Sequence, residues 1–268
     1  MIAAIIINFD PVLLRLGPLE LSWHGVFGMI GAAVMLWWAF ERARARGVDR
    51  NLEGAAWAVA GGAIVGARLA AVAEAWPHYS VHPLEILAIT EGGIAAYGGI
   101  LGGMAALWIY CRWRHLPTGR LFDVAGPPML LGLAIGRIGD IINGEHHAAH
   151  ANLPWSVIYV NPQTLGERGI PVHPEVAYEL IMLVAIVVVQ VWLWGRLDVR
   201  RVPPGVEFAA GLLAYAVGRF LLSYLRLDPT YLWGLRGAQI LGIIAAAIAV
   251  GILVRAYWPS QRTIRDGP

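Results

Sequence analysis

The stretch EVAYELIMLVAIVVVQVWLWG, residues 175–195, decides the fold class of this chain. After Glu179 it carries no charged residue, and about 20 mostly apolar residues in a helix are long enough to cross a bilayer. Comparable stretches lie at 21–40, 54–75, 93–111, 121–142, 206–225 and 237–257. The sequence therefore predicts an all-α, polytopic membrane protein with about seven transmembrane helices.

The composition of the whole chain agrees with this class. Of its 268 residues, 58% are apolar and 14% are charged, and the mean hydropathy is +0.60, whereas soluble domains carry about 25% charged residues. A net charge of +2 gives no indication of a nucleic-acid partner. Every basic residue is arginine, which excludes a lysine nucleophile and favours recognition of phosphate or carboxylate groups. The single cysteine, Cys111, cannot form an internal disulfide.

The distribution of arginine predicts the orientation, because cytoplasmic loops of membrane proteins are enriched in basic residues. Arginines cluster after the first, third and fifth predicted spans and in the C-terminal tail, namely Arg42, Arg44, Arg46, Arg50, Arg112, Arg114, Arg120, Arg196, Arg200, Arg201, Arg255, Arg262 and Arg265. The opposite side holds Arg15, Arg168, Arg226 and Arg236. We therefore expect the N-terminus outside and the C-terminus inside.

The longest external segment is 144–174, and its prolines and Trp155 predict a small ordered extracytoplasmic cap within a single membrane domain, 1–268. The apolar run that begins at Met1 is too short to span, so we expect it at the membrane surface. No internal repeat of the kind found in many transporters is visible.

Three arginines lie inside predicted spans: Arg68, Arg137 and Arg219. Each costs about 2.5–3.5 kcal/mol at a helix centre on insertion scales, so each needs a partner or a wet cavity. All three are predicted in the outer half of the bilayer, with acidic residues at similar depth, namely Glu74, Glu91, Asp140, Glu145, Glu175 and Glu179. The arginines could form structural ion pairs, or they could bind a shared anion such as an outer-leaflet phospholipid headgroup.

The densest polar cluster is GRIGDIINGEHHA, residues 136–148. Arg137 and Asp140 are three positions apart and share a helix face, and Asn143 follows Asp140 by three. A cation, an acid and an amide thus converge where the helix leaves the membrane, which indicates a functional site. His146, His147 and His150 follow, but they lack a clear carboxylate-supported ligand set, so we predict no metal.

The segment GRIGDIINGE, 136–145, resembles the signature G-R-x-G-N-x-x-N-x-E of the prolipoprotein diacylglyceryl transferases. The resemblance covers nearly the whole chain. Its further blocks are FDPVLLRLGPLELSWHG (9–25), GARL (66–69), EGGIAAYGGILGG (91–103), LPWSVIY (153–159), HPEVAYE (173–179), GRFLLSYLR (218–226) and AQILG (238–242).

The resemblance implies an enzyme of the bacterial inner membrane with its active site toward the outer leaflet. Such enzymes transfer the diacylglyceryl group of phosphatidylglycerol to the lipobox cysteine of preprolipoprotein signal peptides, release glycerol phosphate and need no metal or cofactor. The catalytic residues it implies here are Arg137, Arg219, His24, Tyr97 and Glu145. The substrate-binding residues it implies are Asp140, Asn143, Gly98, Gly99, Arg226 and Arg68.

Within that reaction we expect Arg137 and Arg219 to clamp the phosphate, because preorganised cations stabilise a departing anion. His24 and Tyr97 are alternative general bases. Glu145 is expected to orient Arg137 or the glycerol hydroxyls, and Asp140 to neutralise an arginine or to be protonated. Arg68 is assigned equally to structure or to a second lipid contact.

The chain departs from the family pattern at six positions. His24 replaces a tyrosine, Tyr97 a histidine, Asp140 an asparagine, Ala148 a glycine, Val176 a glutamine and Ser223 a glutamate. These departures leave open a non-catalytic relative that binds phospholipid or prolipoprotein. An anion channel or transporter that uses the buried arginines is a second alternative.

Overall fold

The computed structural model describes residues 4–17, 19–48, 51–88, 93, 95–145, 147–197 and 201–258. The strands are β1 (Ile5–Ile7), β2 (Val12–Leu16), β3 (Leu19–Ser22) and β4 (Val157–Tyr159). The helices are α1 (Trp23–Ala45), α2 (Leu52–Glu74), α3 (Trp76–Tyr79), α4 (Ala96–Trp113), α5 (Thr118–Asn143), α6 (Glu175–Arg196), α7 (Val206–Leu222) and α8 (Gly237–Tyr257). Several residues named above lie outside the described residues: Met1, Arg50, Glu91, His146, Arg200, Arg262 and Arg265.

Among the described residues, six helices are long and apolar enough to cross a membrane: α1, α2, α5, α6, α8, and α7 with its short continuation to Leu225. The polytopic helical class is therefore confirmed. The third predicted span, 93–111, corresponds to α4, which has 18 residues. Four glycines and Arg112 lower its apolarity, and it does not belong to the six, so seven remains a prediction.

Large apolar side chains lie exposed along these helices. Trp37 on α1, Trp57 on α2 and Ile181 on α6 are each more than half exposed. A soluble protein rarely exposes so large an apolar surface. Surrounding lipid would remove the cost of this exposure, which agrees with membrane-spanning helices.

The chain divides into two units, residues 40–121 and residues 1–39 with 122–268. In the unit 40–121, α2 packs on α4 through glycines. A Cβ on Gly62 or Gly66 would clash with Gly102, and one on Gly98 would clash with the carbonyl of Gly66. Small residues allow membrane helices this close approach. The closest contacts of α4 with α2 are those of Gly98 and Gly102, which are four positions apart and so share one face of α4.

In the other unit, α5 and α6 share a buried apolar cluster of Leu130, Ala134, Leu183 and Val187. The N-terminus of α7 is capped by Asp123, whose carboxylate accepts hydrogen bonds from the backbone N–H groups of residues 205 and 208, at 2.8 and 3.0 Å. This carboxylate satisfies donors that a helix start leaves unpaired.

Within the part of the chain that the structure describes, four short strands supplement the helical fold, and the sequence did not predict them. β1 pairs in parallel with β4, with Ile5 opposite Val157 and Ile7 opposite Tyr159, and β2 pairs antiparallel with β3. Ile7 also packs on the small core of the cap, and the Tyr159 hydroxyl donates to the Ile141 carbonyl at 3.0 Å. The cap is thereby fixed to the end of α5.

Candidate active site

The last turns of α5 supply the first pair of the site. Arg137 donates to Asp140 Oδ2 at 2.5 Å, one turn further along the helix. Its other terminal nitrogen, Nη2, donates to Glu179 Oε1 on α6 at 3.0 Å. The Arg137 side chain is 17% exposed, whereas Glu179 is fully buried. The fork of one guanidinium thus joins two carboxylates from different helices.

Glu179 is the point where the two predicted clamp arginines come together. Its Oε1 accepts from the Tyr215 hydroxyl at 3.0 Å and lies 3.7 Å from Nε of Arg219. Because the same oxygen binds Arg137, guanidinium groups from α5 and α7 converge on one carboxylate oxygen. Arg219 is 4% exposed, so this convergence occurs in a buried, low-dielectric setting.

A third arginine extends the network. Glu175 Oε1 accepts from Arg219 Nη1 at 3.0 Å, and Glu175 Oε2 lies 3.5 Å from Arg226 Nη1. Arg226 also donates through Nε to Asp228 at 2.7 Å. Positive and negative groups therefore alternate through the site, which reduces the cost of burying each of them.

His24, in the first turn of α1, lies at the other end of this network. Its Nδ1 is 2.5 Å from Asp140 Oδ1 and 3.3 Å from Glu145 Oε2, and the ring is about half exposed. Glu145 Oε1 accepts from the Asn143 amide at 2.8 Å. A Cβ at Gly139 would clash with the backbone of His24, so this glycine permits α1 to approach. With Nδ1 directed at Asp140, Nε2 is the ring nitrogen available to a substrate.

His24, Asp140 and Glu145 also form the one group of ligand atoms, among the described residues, that could hold a metal ion. Both oxygens of Asp140 already accept hydrogen bonds, one from His24 and one from Arg137. The positive charge of Arg137 opposes a cation at this position. Hydrogen bonding accounts for the cluster without a metal.

Arg68 lies in the unit 40–121, where it binds backbone carbonyls. Its Nε donates to Ile86 at 2.9 Å and its Nη1 to Gly93 at 2.8 Å, and Nη2 contacts the carbonyls of Glu85 and Ala88. The guanidinium also lies 5.1 Å from the Tyr79 ring centre. Of its two predicted roles, this geometry favours the structural one, because the guanidinium joins the backbone carbonyls of residues 85, 86, 88 and 93.

The remaining predicted residues of that unit begin α4. Tyr97 is 38% exposed in its first turn. Gly98 is buried against α2, and Gly99 packs less tightly there, since a Cβ would lie 3.5 Å from the carbonyl of Ala63. Helix packing therefore explains the glycine at 98, and the substrate-binding assignments stay predictions.

The sequence interpretation missed Tyr215 and gave no site role to Glu175 or Glu179. The two glutamates are four positions apart in the first turns of an otherwise apolar helix. That spacing places both carboxylates on one face, directed at the same neighbours. A pair of acids on one face of a span was the signal that could have identified them, whereas Tyr215 carries no comparable signal.

Comparisons with known proteins show the family of this chain. The model of the family described as prolipoprotein diacylglyceryl transferase matches residues 11–255. The chain belongs to this family. Proteins named phosphatidylglycerol--prolipoprotein diacylglyceryl transferase are similar over most of its length. One from Dehalococcoides mccartyi (strain CBDB1) is 35% identical over 96% of this chain and 97% of its own. One from Synechococcus elongatus is 38% identical over 92% of this chain and 87% of its own. One from Symbiobacterium thermophilum is 35% identical over 96% of this chain and 96% of its own.

Two departures from the diacylglyceryl transferase family pattern contact each other directly. His24 and Asp140 stand where the pattern has tyrosine and asparagine, and they share the 2.5 Å hydrogen bond. Ala148, a third departure, forms a β-bridge with Arg226. Val176 and Ser223 are buried. In this chain an imidazole and a carboxylate are thus in contact at the positions of His24 and Asp140.

Proposed function

We propose that this chain transfers the diacylglyceryl group of phosphatidylglycerol to the cysteine thiol of a lipobox in preprolipoprotein signal peptides. A carbon–sulfur bond forms at the glyceryl carbon as its carbon–oxygen bond to phosphate breaks, and glycerol phosphate leaves. Family membership over residues 11–255 supports the reaction, as do the names of the relatives. The convergence of Arg137 and Arg219 on one carboxylate oxygen is the structural observation that carries it.

Arg137 and Arg219 are proposed to bind the phosphate as charge develops on its leaving oxygen. Two guanidiniums that already share an oxygen of Glu179 can share an oxygen of a phosphate. Such preorganised cations are most effective where water is excluded, and both side chains are largely buried. The two arginines are therefore expected to bind the lipid headgroup in the ground state and to bind the departing phosphate more strongly in the transition state.

The thiol must lose its proton, because the thiolate is the nucleophile. Of the two candidate bases, the contacts of His24 favour it over Tyr97. Asp140 fixes the imidazole through Nδ1, which leaves Nε2 to accept the proton, as in a hydrogen-bonded catalytic dyad. Glu145 contacts the same nitrogen and Asn143, so we assign it to orienting His24.

We further propose seven spans in a bacterial inner membrane, with the N-terminus and the cap outside, the C-terminus inside, and the site toward the outer leaflet. The arginine distribution supports this orientation. The 18 residues of α4 extend about 27 Å, which is close to the hydrocarbon thickness of about 30 Å. A seventh span is therefore compatible with its length.

The function is tested with purified protein, phosphatidylglycerol and a synthetic lipobox peptide. We expect the peptide to gain the mass of the diacylglyceryl group and one glycerol phosphate to be released for each peptide modified. Replacing the peptide cysteine with serine should abolish both signals. Binding of lipid or peptide without turnover would instead identify a non-catalytic relative, and anion flux through liposomes without lipid consumption would identify a transporter.

The clamp is tested with Arg137→Lys and Arg219→Lys. Lysine keeps the charge but cannot bridge two oxygens with a planar fork, so we expect kcat to fall by about 100-fold or more. The exposed Arg15→Lys is the matched control and should retain wild-type kcat. Full activity in either clamp variant would contradict the role.

A further inference from the structure

Glu175 begins α6 and is fully buried. One of its oxygens accepts from Arg219 at 3.0 Å, and the other lies 3.5 Å from Arg226. Two buried guanidiniums thus contact opposite oxygens of one carboxylate. The negative charge between them offsets their mutual repulsion, and the two contacts fix the planes of both cations.

Arg219 depends on Glu175 more directly than on Glu179. The shortest contact to Glu175 is 3.0 Å, whereas Nε of Arg219 is 3.7 Å from Glu179. Glu179 also accepts hydrogen bonds from Arg137 and Tyr215, so its oxygen is shared among several donors. Glu175 is therefore the carboxylate that sets the direction of the Arg219 guanidinium.

Ser223 lies one helical turn after Arg219, and its backbone N–H donates to the Arg219 carbonyl. The Ser223 side chain is fully buried, and its hydroxyl oxygen makes no hydrogen bond to any described residue. Side chains four positions apart on a helix are neighbours. A carboxylate at position 223 would therefore reach Arg219 from within its own helix, whereas in this chain the carboxylate comes from α6.

We propose that Glu175 is a positioning residue that holds Arg219 toward the phosphate, in the place of a carboxylate that α7 lacks at Ser223. This proposal rests on the transfer reaction proposed above. Glu175 acts through Arg219 and takes no part in bond making or breaking. A carboxylate moved from position 175 to position 223 should therefore restore part of the kcat that is lost when the carboxylate at 175 is removed.

The test compares Glu175→Gln, Glu175→Ser and the relocated pair Glu175→Ser with Ser223→Glu. Each is assayed for kcat and for KM toward phosphatidylglycerol, and its melting temperature is measured in detergent. We expect kcat to fall by about 10–100-fold in Glu175→Gln and Glu175→Ser, as for other residues that orient a functional group. The relocated pair should have a clearly higher kcat than Glu175→Ser measured under the same conditions. Glu167→Gln, on the cap, is the control and should keep wild-type kcat.

Wild-type kcat in a folded Glu175→Gln protein would overturn the positioning role. A folded relocated pair that remains as slow as Glu175→Ser would also overturn it. If the neutral variants do not fold, Glu175→Asp is assayed instead. Aspartate keeps the negative charge, but its side chain is one methylene shorter and places the carboxylate farther from Arg219. A wild-type kcat in Glu175→Asp would refute the role. A wild-type protein without transfer overturns the proposed function and the positioning role together, whereas variant-to-wild-type ratios test Glu175 alone.

Discussion

At the scale of single residues, Asp140 lies between two groups with different tasks. One of its oxygens binds His24 and the other binds Arg137, both at 2.5 Å. The carboxylate can therefore orient the imidazole while it neutralises part of the charge on the guanidinium. In the proposed mechanism, one side chain would thus link proton removal from the thiol to phosphate binding.

For His24→Gln we expect kcat to fall by about 10²–10⁴-fold near pH 7, the usual contribution of a general base. The deficit should shrink above about pH 9, because a thiol with an ordinary pKa near 8.5 then ionises without help. The measurement is the pH–rate profile of both proteins with the lipobox peptide. A deficit of the same size at every pH would exclude His24 as the base.

Burial, together with the nearby charge of Asp140, raises the pKa of Tyr159 in the cap to about 12. The folded-state pKa then exceeds the unfolded value of about 10, so folding favours the protonated phenol. Its contribution to the free energy of unfolding, about 3 kcal/mol, is fully present below pH 10 and is lost between pH 10 and 12. Chemical denaturation across this range should show that loss in wild type and in the control Tyr231→Phe, but not in Tyr159→Phe.

At the scale of elements, the contact of α2 with α4 depends on which glycine of an adjacent pair faces the partner. A Cβ on Gly62 would clash with Gly102 and Ala106, whereas one on Gly61 would meet nothing within 4 Å. The two positions differ by one residue and therefore by about 100° around the helix. Alanine substitutions at Gly61 and Gly62 therefore separate the effect of helix–helix packing on stability from the effect of helix propensity.

Gly62→Ala should therefore lower the free energy of unfolding by about 1–3 kcal/mol, as overpacking usually does. Gly61→Ala should leave it unchanged or raise it by up to about 1 kcal/mol, because alanine favours helix more than glycine does. Unfolding in mixed micelles measures both variants under the same conditions. Equal effects of the two substitutions would contradict the observed helix face.

The helices were predictable because an apolar run of sufficient length has few alternatives to a transmembrane helix. The cluster in 136–145 was predictable because charges are rare there and helical spacing brings Arg137 next to Asp140. The contact of His24 with Asp140 could not be derived, since it joins residues 116 positions apart. The strands β1 and β4 are three residues each, too short for a periodic pattern to be recognised.

At the scale of the whole molecule, the proposed seven-span topology and a six-span one differ in whether α4 crosses the membrane, and therefore in whether the two termini lie on opposite sides. If α4 crosses the membrane, the segment before it and the segment after it lie on opposite sides. If it does not, they lie on the same side. Cys111, on α4, is fully buried and should not react with membrane-impermeant thiol reagents.

We therefore expect His82→Cys to react with such a reagent in intact cells and Arg114→Cys to react only after permeabilisation. Two further variants serve as references for the two sides of the membrane. Arg168→Cys in the cap should react in intact cells, and Arg44→Cys should react only after permeabilisation. Labelling is read from gel mobility. Reaction of residues 82 and 114 from the same side would contradict a spanning α4.

The parallel pairing of β1 with β4 imposes an order on biogenesis. Strand β1 is synthesised first, but its partner emerges about 150 residues later, after α5 has been made. Until then three consecutive isoleucines form an unpaired strand edge, a structure prone to association with other chains. A nascent chain stalled before residue 157 would expose this edge, so the synthesis of strand β4 sets the moment at which β1 can pair.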